Sequence, residues 1–82
     1  MASCGSVQSS DCLVTVNPSD TLVITIESVV YAQYGKAIRK VVTDTLEAKG
    51  INTLEVHIAD KGAFDHVIKA RLLCALERMG SK

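Results

Sequence analysis

The sequence predicts a two-layer α+β domain, in which a three-stranded sheet packs against two helices in the order β-β-α-β-α. Three observations predict it. A chain of 82 residues suits one domain with a modest core. Apolar residues alternate in three short segments, and they recur at steps of three and four in two longer ones. Hydrophobic residues make up 48% of the chain and aromatic residues only 4%, so we expect an aliphatic core.

The strands are expected where β-branched residues and period-two alternation occur together, at residues 12–16, 22–26 and 53–59. Residues 17–20, Asn-Pro-Ser-Asp, predict a turn, so the first two strands should form a β-hairpin. We expect the third strand to pair antiparallel with the first, which would then be central in the sheet. Parallel pairing beside the second strand is the alternative.

The helices are expected at about residues 29–49 and 63–79, because apolar side chains recur there at helical spacing. Ser28 is in position to cap the first helix. Gly50 and Gly80 follow the two patterns, where glycine commonly ends a helix.

The charge and the cysteines limit the classes of function. Nine basic and nine acidic residues give a formal net charge of zero, which does not favour binding to nucleic acid or to an anionic membrane. Neither a signal peptide nor a membrane span is evident, so we expect a cytoplasmic protein. Cys12 and Cys74 are interpreted as small apolar core residues in a reducing compartment, and Cys4 as a free thiol.

Residues 1–11 are small and polar and predict a flexible arm before a single domain over residues 12–82. Ser9 lies in this arm, directly before the first strand, without a histidine or lysine that could activate it as a nucleophile. Its position suits a serine that another enzyme modifies. No catalytic residue and no metal ligand is predicted, and His57 and His66 are interpreted as surface residues.

Lys36, Arg39 and Lys40 form a small basic cluster on the polar side of the first predicted helix. A solvated helix face is the simpler interpretation of such a cluster. The functional alternative is a docking surface for a partner subunit or for phosphate groups.

Several segments follow, in order, the pattern of a known family. Each segment alone is weak evidence for membership of that family, but their shared order and spacing is specific. They are residues 5–11, which contain the arm serines; 12–18 and 22–26, the two apolar strands; 33–39, Gln-Tyr-Gly-Lys-Ala-Ile-Arg; 60–65, Asp-Lys-Gly-Ala-Phe-Asp; and 70–72, Ala-Arg-Leu. The chain therefore resembles the family of citrate lyase acyl carrier proteins, the gamma subunits of that complex.

The resemblance implies a role for each residue of the arm. In the family, the serine that matches Ser9 carries the prosthetic group. Relatives have serine or glycine at the position of Ser10, and usually glutamate where this chain has Gln8. Gln8, Ser10 and Asp11 are therefore candidates for recognition of the arm by the modifying transferase.

The resemblance also implies a cofactor and partners. The group is a phosphoribosyl dephospho-coenzyme A, bound covalently through a phosphodiester and expected to be absent from a sample made without the transferase. It holds acetyl and citryl thioesters while citrate is cleaved to oxaloacetate and acetate. The partners implied are the alpha and beta subunits of citrate lyase and the prosthetic-group transferase, and the carrier itself is not an enzyme.

Two alternatives remain open from the sequence. One is the acyl carrier of a related complex, citramalate lyase or malonate decarboxylase; residues 33–35 and 60–62 favour the citrate or citramalate side. The other is a small RNA-binding, regulatory or assembly module. Zero net charge, few aromatic residues and the lack of a GxxG loop argue against RNA binding.

Overall fold

The computed structural model describes residues 1–80 of the chain. Its elements, in order, are β1 (Ala2–Gly5), β2 (Cys12–Asn17), β3 (Leu22–Ser28), α1 (Tyr31–Ala48), β4 (Leu54–Asp60) and α2 (Asp65–Arg78). The strands that follow β1 and both helices begin and end within two residues of the bounds expected from the sequence pattern.

The predicted three-stranded sheet in the order β-β-α-β-α is wrong. The sheet has four strands in the spatial order β1-β2-β4-β3, and the elements follow one another as β-β-β-α-β-α. The additional strand lies in the segment predicted as an arm, and it pairs antiparallel with β2 from Ala2↔Val16 to Gly5↔Leu13. Four residues of mixed polarity carry too little periodicity to be recognised as a strand. The expected mobility of residues 1–11 in solution stays a prediction.

The predicted β-hairpin is also wrong, because β4 lies between β2 and β3. It pairs antiparallel with β2 and parallel with β3, so both pairings considered for this strand occur. The helical crossover brings the chain back to start β4 in the same direction as β3. Leu54, Val56 and Ile58 are buried, so β4 buries more apolar surface as an interior strand than it would at the edge of the sheet.

Both helices pack on the sheet and on each other, α2 against β1 and β2 and α1 against β3. The core between these two layers is aliphatic; its most completely buried large apolar side chains are Leu46, Ile58, Ile68, Leu72, Val14, Val16, Val42 and Val56. Within residues 1–80, no helix is both long and apolar enough to cross a membrane.

Ser28 does not cap α1 as expected. Val30 is the residue before the first helical turn, and its side chain makes no capping hydrogen bond. The Ser28 hydroxyl instead accepts a hydrogen bond from the Val30 N–H at 3.1 Å and donates one to Asp60 at 2.7 Å. The serine thus joins the ends of the parallel strands β3 and β4.

Cys4 and Cys74 form a disulfide bond with their Cα atoms 6.0 Å apart, which corrects both the free thiol expected at Cys4 and the apolar role of Cys74. The bond attaches β1 at the edge of the sheet to α2. Cys12 is a free, buried thiol, and burial raises its pKa to about 11.

Candidate functional site

Residues 6–11, here called the serine loop, connect β1 to β2 and contain Ser9. The loop is closed at its base by a hydrogen bond from the Ser6 N–H to the Cys12 carbonyl at 3.1 Å. Its tip is a turn over residues 8–11, in which the Asp11 N–H donates to the Gln8 carbonyl at 3.2 Å. The loop therefore has a defined backbone between two paired strands.

The two serines of the turn differ in their backbone. Both are exposed, but Ser10 has a φ of 64°, in the left-handed region. Glycine adopts this conformation at little cost and other residues rarely do. Ser10 is therefore the position of the turn at which glycine is a conformationally suitable alternative, whereas Ser9 presents its hydroxyl from the exposed tip.

The carboxylate of Asp11 is the hydrogen-bonding centre of the loop. It accepts from the Arg71 guanidinium at 3.0 Å and 3.1 Å, one bond to each oxygen. It also accepts from the Ser6 hydroxyl at 2.7 Å and from the Cys12 N–H at 2.8 Å. One side chain thus ties together both ends of the serine loop and helix α2.

These hydrogen bonds shift the pKa values of Asp11 and Arg71. The Arg71 guanidinium, followed by the Ser6 hydroxyl and the Cys12 N–H, lowers the pKa of Asp11 to about 2. In return, Asp11 raises the pKa of Arg71. Both groups are therefore charged across the physiological pH range, and Arg71 offsets the negative charge of Asp11 close to Ser9.

A second attachment comes from the turn after β4. The Ser10 N–H donates to the Lys61 carbonyl, and the Lys61 N–H donates to the Asp11 carbonyl, both at 2.9 Å. Next to Lys61, Asp60 is 2% exposed and accepts hydrogen bonds from Ser28 and from the Ala63 N–H. The backbone of the serine loop thus rests on a turn that is itself held by a buried carboxylate.

Gly5 is the third element of the site. Its φ of 110° is unfavourable for any residue with a side chain. A Cβ atom here would lie 1.9 Å from the Cys12 carbonyl oxygen and 3.2 Å from Cδ of Arg71. The chain therefore enters the serine loop through a position that only glycine can occupy without displacement of its neighbours.

The surface beside the loop is open and partly apolar. A shallow cleft of about 650 Å³ is lined by residues that include Val7, Val29, Glu27 and Lys61, and the valines are 59% and 65% exposed. Ser9 is exposed at the tip of the adjoining loop. A group joined to its hydroxyl would therefore not displace any core side chain.

The basic residues of α1 are organised differently. Lys40 pairs with Asp44 at 3.0 Å, and Arg39 donates to the Ile24 carbonyl at 3.4 Å. Lys36 is exposed. Within residues 1–80, no hydrogen bond or ion pair joins these three residues to the serine loop. Their proposed docking role stays a prediction.

Neither histidine contributes to the serine loop. His57 lies on the solvent side of the sheet and contacts Glu27 at 2.7 Å, and His66 stacks on the exposed ring of Phe64. The part of the chain that the structure describes contains no group of three or more His, Cys, Asp or Glu side chains that could hold a metal ion.

Sequence reasoning did not identify the residues that support the loop, which are Gly5, Asp60, Lys61 and Arg71. The available signal was that all four belong to segments that follow the family pattern. Nothing in their order indicated that they meet in space, since Arg71 and Asp11 are 60 residues apart. The structure brings three of those segments, residues 5–11, 60–65 and 70–72, to one end of the molecule.

The chain is similar in sequence to known proteins. The family model described as "ACP: Malonate decarboxylase delta subunit (MdcD)" matches residues 1–79. The chain is 50% identical over 76 residues to the citrate lyase acyl carrier protein of Streptococcus mutans serotype c, which covers 90% of this chain and 74% of that protein. It is 41% identical over 81 residues to the citrate lyase acyl carrier protein of Treponema denticola, with 99% and 93% covered.

A solved structure is similar as well. The chain superposes with a TM-score of 0.85 on a chain of the Pseudomonas malonate decarboxylase hetero-tetramer in complex with malonate. The sequence identity is 25%, and the match covers 96% of this chain and 82% of that one.

Proposed function

Because the chain belongs to the family of citrate lyase acyl carrier proteins, we propose that it is the acyl carrier subunit of citrate lyase and that Ser9 is its attachment site. The observation that carries this proposal is the geometry of the serine loop. Its exposed tip holds Ser9, and its base is held by segments that follow the family pattern. The carrier presents a hydroxyl and supplies no catalytic residue of its own.

The attached group in this proposal is phosphoribosyl dephospho-coenzyme A, joined to the Ser9 hydroxyl through a phosphodiester. When bound, it supplies a thiol that carries the acyl group as a thioester. The residues of the chain hold the point of attachment, and Asp11 does not repel the phosphate strongly because Arg71 offsets its charge. Because the loop is hydrogen-bonded at both ends, most of the reach between active sites has to come from the attached group.

The proposed partners are the alpha and beta subunits of citrate lyase and the transferase that attaches the group. A covalent tether keeps the acyl group near the active sites of both subunits at a high effective concentration. The proposal places the protein in the cytoplasm with these partners. Gln8, Ser10 and Asp11 belong to the surface that the transferase would contact.

The test is the intact mass of the protein after incubation with a prosthetic-group transferase and its activated cofactor. We expect one added group on the wild-type chain, and peptide mapping should locate it on Ser9. Ser9→Ala should take up none. Ser10→Gly is the matched control, since it removes the neighbouring hydroxyl at a position whose φ favours glycine, and it should be modified like the wild type.

The acyl carrier of malonate decarboxylase is the second candidate, and the family model and the solved structure favour it. The two candidates share the carrier role and differ in the partners. The modified chain should therefore be mixed separately with the other subunits of citrate lyase and with those of malonate decarboxylase. Restored cleavage of citrate supports the first candidate, and restored decarboxylation of malonate supports the second.

A further inference from the structure

Arg71 makes a side-chain connection between helix α2 and the serine loop. Its Nε and Nη2 donate to the two oxygens of Asp11 at 3.0 Å and 3.1 Å. A guanidinium that binds both oxygens of a carboxylate fixes the orientation of that carboxylate as well as its position. The orientation matters here because the same two oxygens accept hydrogen bonds from Ser6, within the loop, and from the Cys12 N–H, directly after it.

The pair is better suited to fix geometry than to stabilise the fold. The Arg71 side chain is 39% exposed and that of Asp11 is 18% exposed. Ion pairs that solvent can reach contribute little to the free energy of unfolding. The turn over residues 8–11 is also held by backbone hydrogen bonds, within itself and to Lys61, but these do not orient the Asp11 carboxylate, and Ser10 is in the less favourable left-handed region. Without Arg71, the turn would populate other conformations.

We propose that Arg71 is a positioning residue for the attachment reaction, which acts through Asp11 to hold the turn that presents Ser9 to the transferase. This inference rests on the proposed function of Ser9 as the attachment site. It assigns to Arg71 a part in recognition of the free carrier, separate from the chemistry of the acyl group.

The physical consequence is a specific kinetic effect. If the competent conformation of the loop is only partly populated, the apparent affinity of the transferase for the carrier falls in proportion to that fraction. Arg71→Met should therefore raise the KM for the carrier by roughly tenfold and change kcat by less than about twofold. A residue with a direct part in the chemistry would lower kcat instead.

Arg78 provides a matched control. It lies on the same helix, and its guanidinium also bonds to the N-terminal segment, donating to the Ser3 carbonyl at 2.9 Å. That contact reaches strand β1 and not the serine loop. Arg78→Met therefore removes an arginine and a contact of similar kind, and it should leave both the KM and kcat of attachment unchanged.

The experiment follows attachment by intact mass at several carrier concentrations, together with amide hydrogen exchange of the unmodified carriers. For Arg71→Met, we expect a raised KM, faster exchange in residues 6–11 and a urea midpoint close to that of the wild type. For Arg78→Met, we expect neither the rise in KM nor the faster exchange. Arg71→Lys keeps the charge but not the two-pronged geometry, so its KM should lie between wild type and Arg71→Met. If Arg71→Met does not fold, Arg71→Lys provides the test in its place.

Two results would overturn the inference: wild-type attachment kinetics in Arg71→Met and Arg71→Lys, or an equal rise in KM in Arg78→Met. A different result concerns the proposed function. If the wild-type chain gains no mass under conditions that modify a known relative, attachment at Ser9 is wrong. The exchange comparison then still decides whether Arg71 orders the serine loop.

Discussion

The serine loop and the basic face of α1, formed by Lys36, Arg39 and Lys40, are two candidate functional regions that the fold supports in different ways. The loop is held by partners distant in sequence, since Arg71 lies 60 residues from Asp11. The basic face has one ion pair within its own helix and one hydrogen bond to a strand carbonyl.

This difference indicates which region depends on the tertiary structure. If Ser9 is the attachment site, its hydroxyl has to be recognised by another enzyme and benefits from a fixed backbone, which the fold provides. The side chains of the basic face are long and solvated, so they can attract a partner without a fixed geometry. Changes to the tightly packed supports of the loop, such as Gly5 and the Cys4–Cys74 bond, should therefore affect folding and recognition together, whereas changes on the basic face should have little effect on folding.

Reduction of the Cys4–Cys74 bond is expected to produce the largest difference in behaviour between the serine loop and the basic face. The bond closes a segment of 70 residues, and a cross-link of that length contributes about 4 kcal/mol to the free energy of unfolding. Reductant should lower the stability of the wild type but not that of Cys74→Ala, as measured by urea unfolding. Hydrogen exchange should rise in β1 and the serine loop and not in the basic face.

Thiol counting in denaturant provides the control. One reactive thiol, that of Cys12, is expected before reduction, and three are expected after it. Three thiols in the unreduced chain, with no response of stability to reductant, would show that the bond is not formed.

A methyl group at Gly5 tests how tightly the entrance to the loop is packed. Gly5→Ala should lower the free energy of unfolding by about 3 kcal/mol or more, because a left-handed φ and a backbone clash act together. Gly62→Ala is the matched control: its φ is 91°, but no atom lies within 4 Å of the added carbon, so it should cost about 1 kcal/mol. Similar urea midpoints for the two variants would contradict the packing described at Gly5.

Acid should weaken the loop through Asp11. Its folded pKa of about 2 lies below the ordinary value of 3.8, so its contribution to stability is fully present well above pH 3.8 and is lost as the pH falls through 2. The contribution is small because solvent reaches the ion pair. Arg71→Met should raise the pKa of Asp11 towards the ordinary value, which an NMR titration of the carboxyl carbon would measure. Arg78→Met should leave it unchanged, and the same pKa in all three proteins would argue against the ion pair.

The smallest effect on stability is expected at the basic face. Lys40→Glu breaks an exposed ion pair with Asp44, so the free energy of unfolding should change by less than about 1 kcal/mol. If the face is a docking surface, combining it with Lys36→Glu should weaken assembly with the partner subunits and leave attachment at Ser9 unaffected. Unchanged assembly and lyase activity would show that this is only a solvated helix surface.

The sequence by itself determined the elements whose signals are local. Alternation marked residues 53–59, and helical spacing marked both helices, because a repeating apolar face is written into consecutive residues. The order of the family motifs along the chain is enough to imply Ser9 as the attachment site. The helices and strands are marked by patterns within short segments, and the family resemblance by the order of motifs along the chain.

Only the tertiary structure decided which strands pair and what holds the loop. The turn residues at 17–20 favoured a hairpin, but β4 displaced β3 from β2 because the central place buries Leu54, Val56 and Ile58 completely. Strand β1 forms because an open edge of β2 accepts it. The contact of Arg71 with Asp11 exists because α2 packs across β1 and β2, and a pairing over 60 residues leaves no periodic signal in the chain.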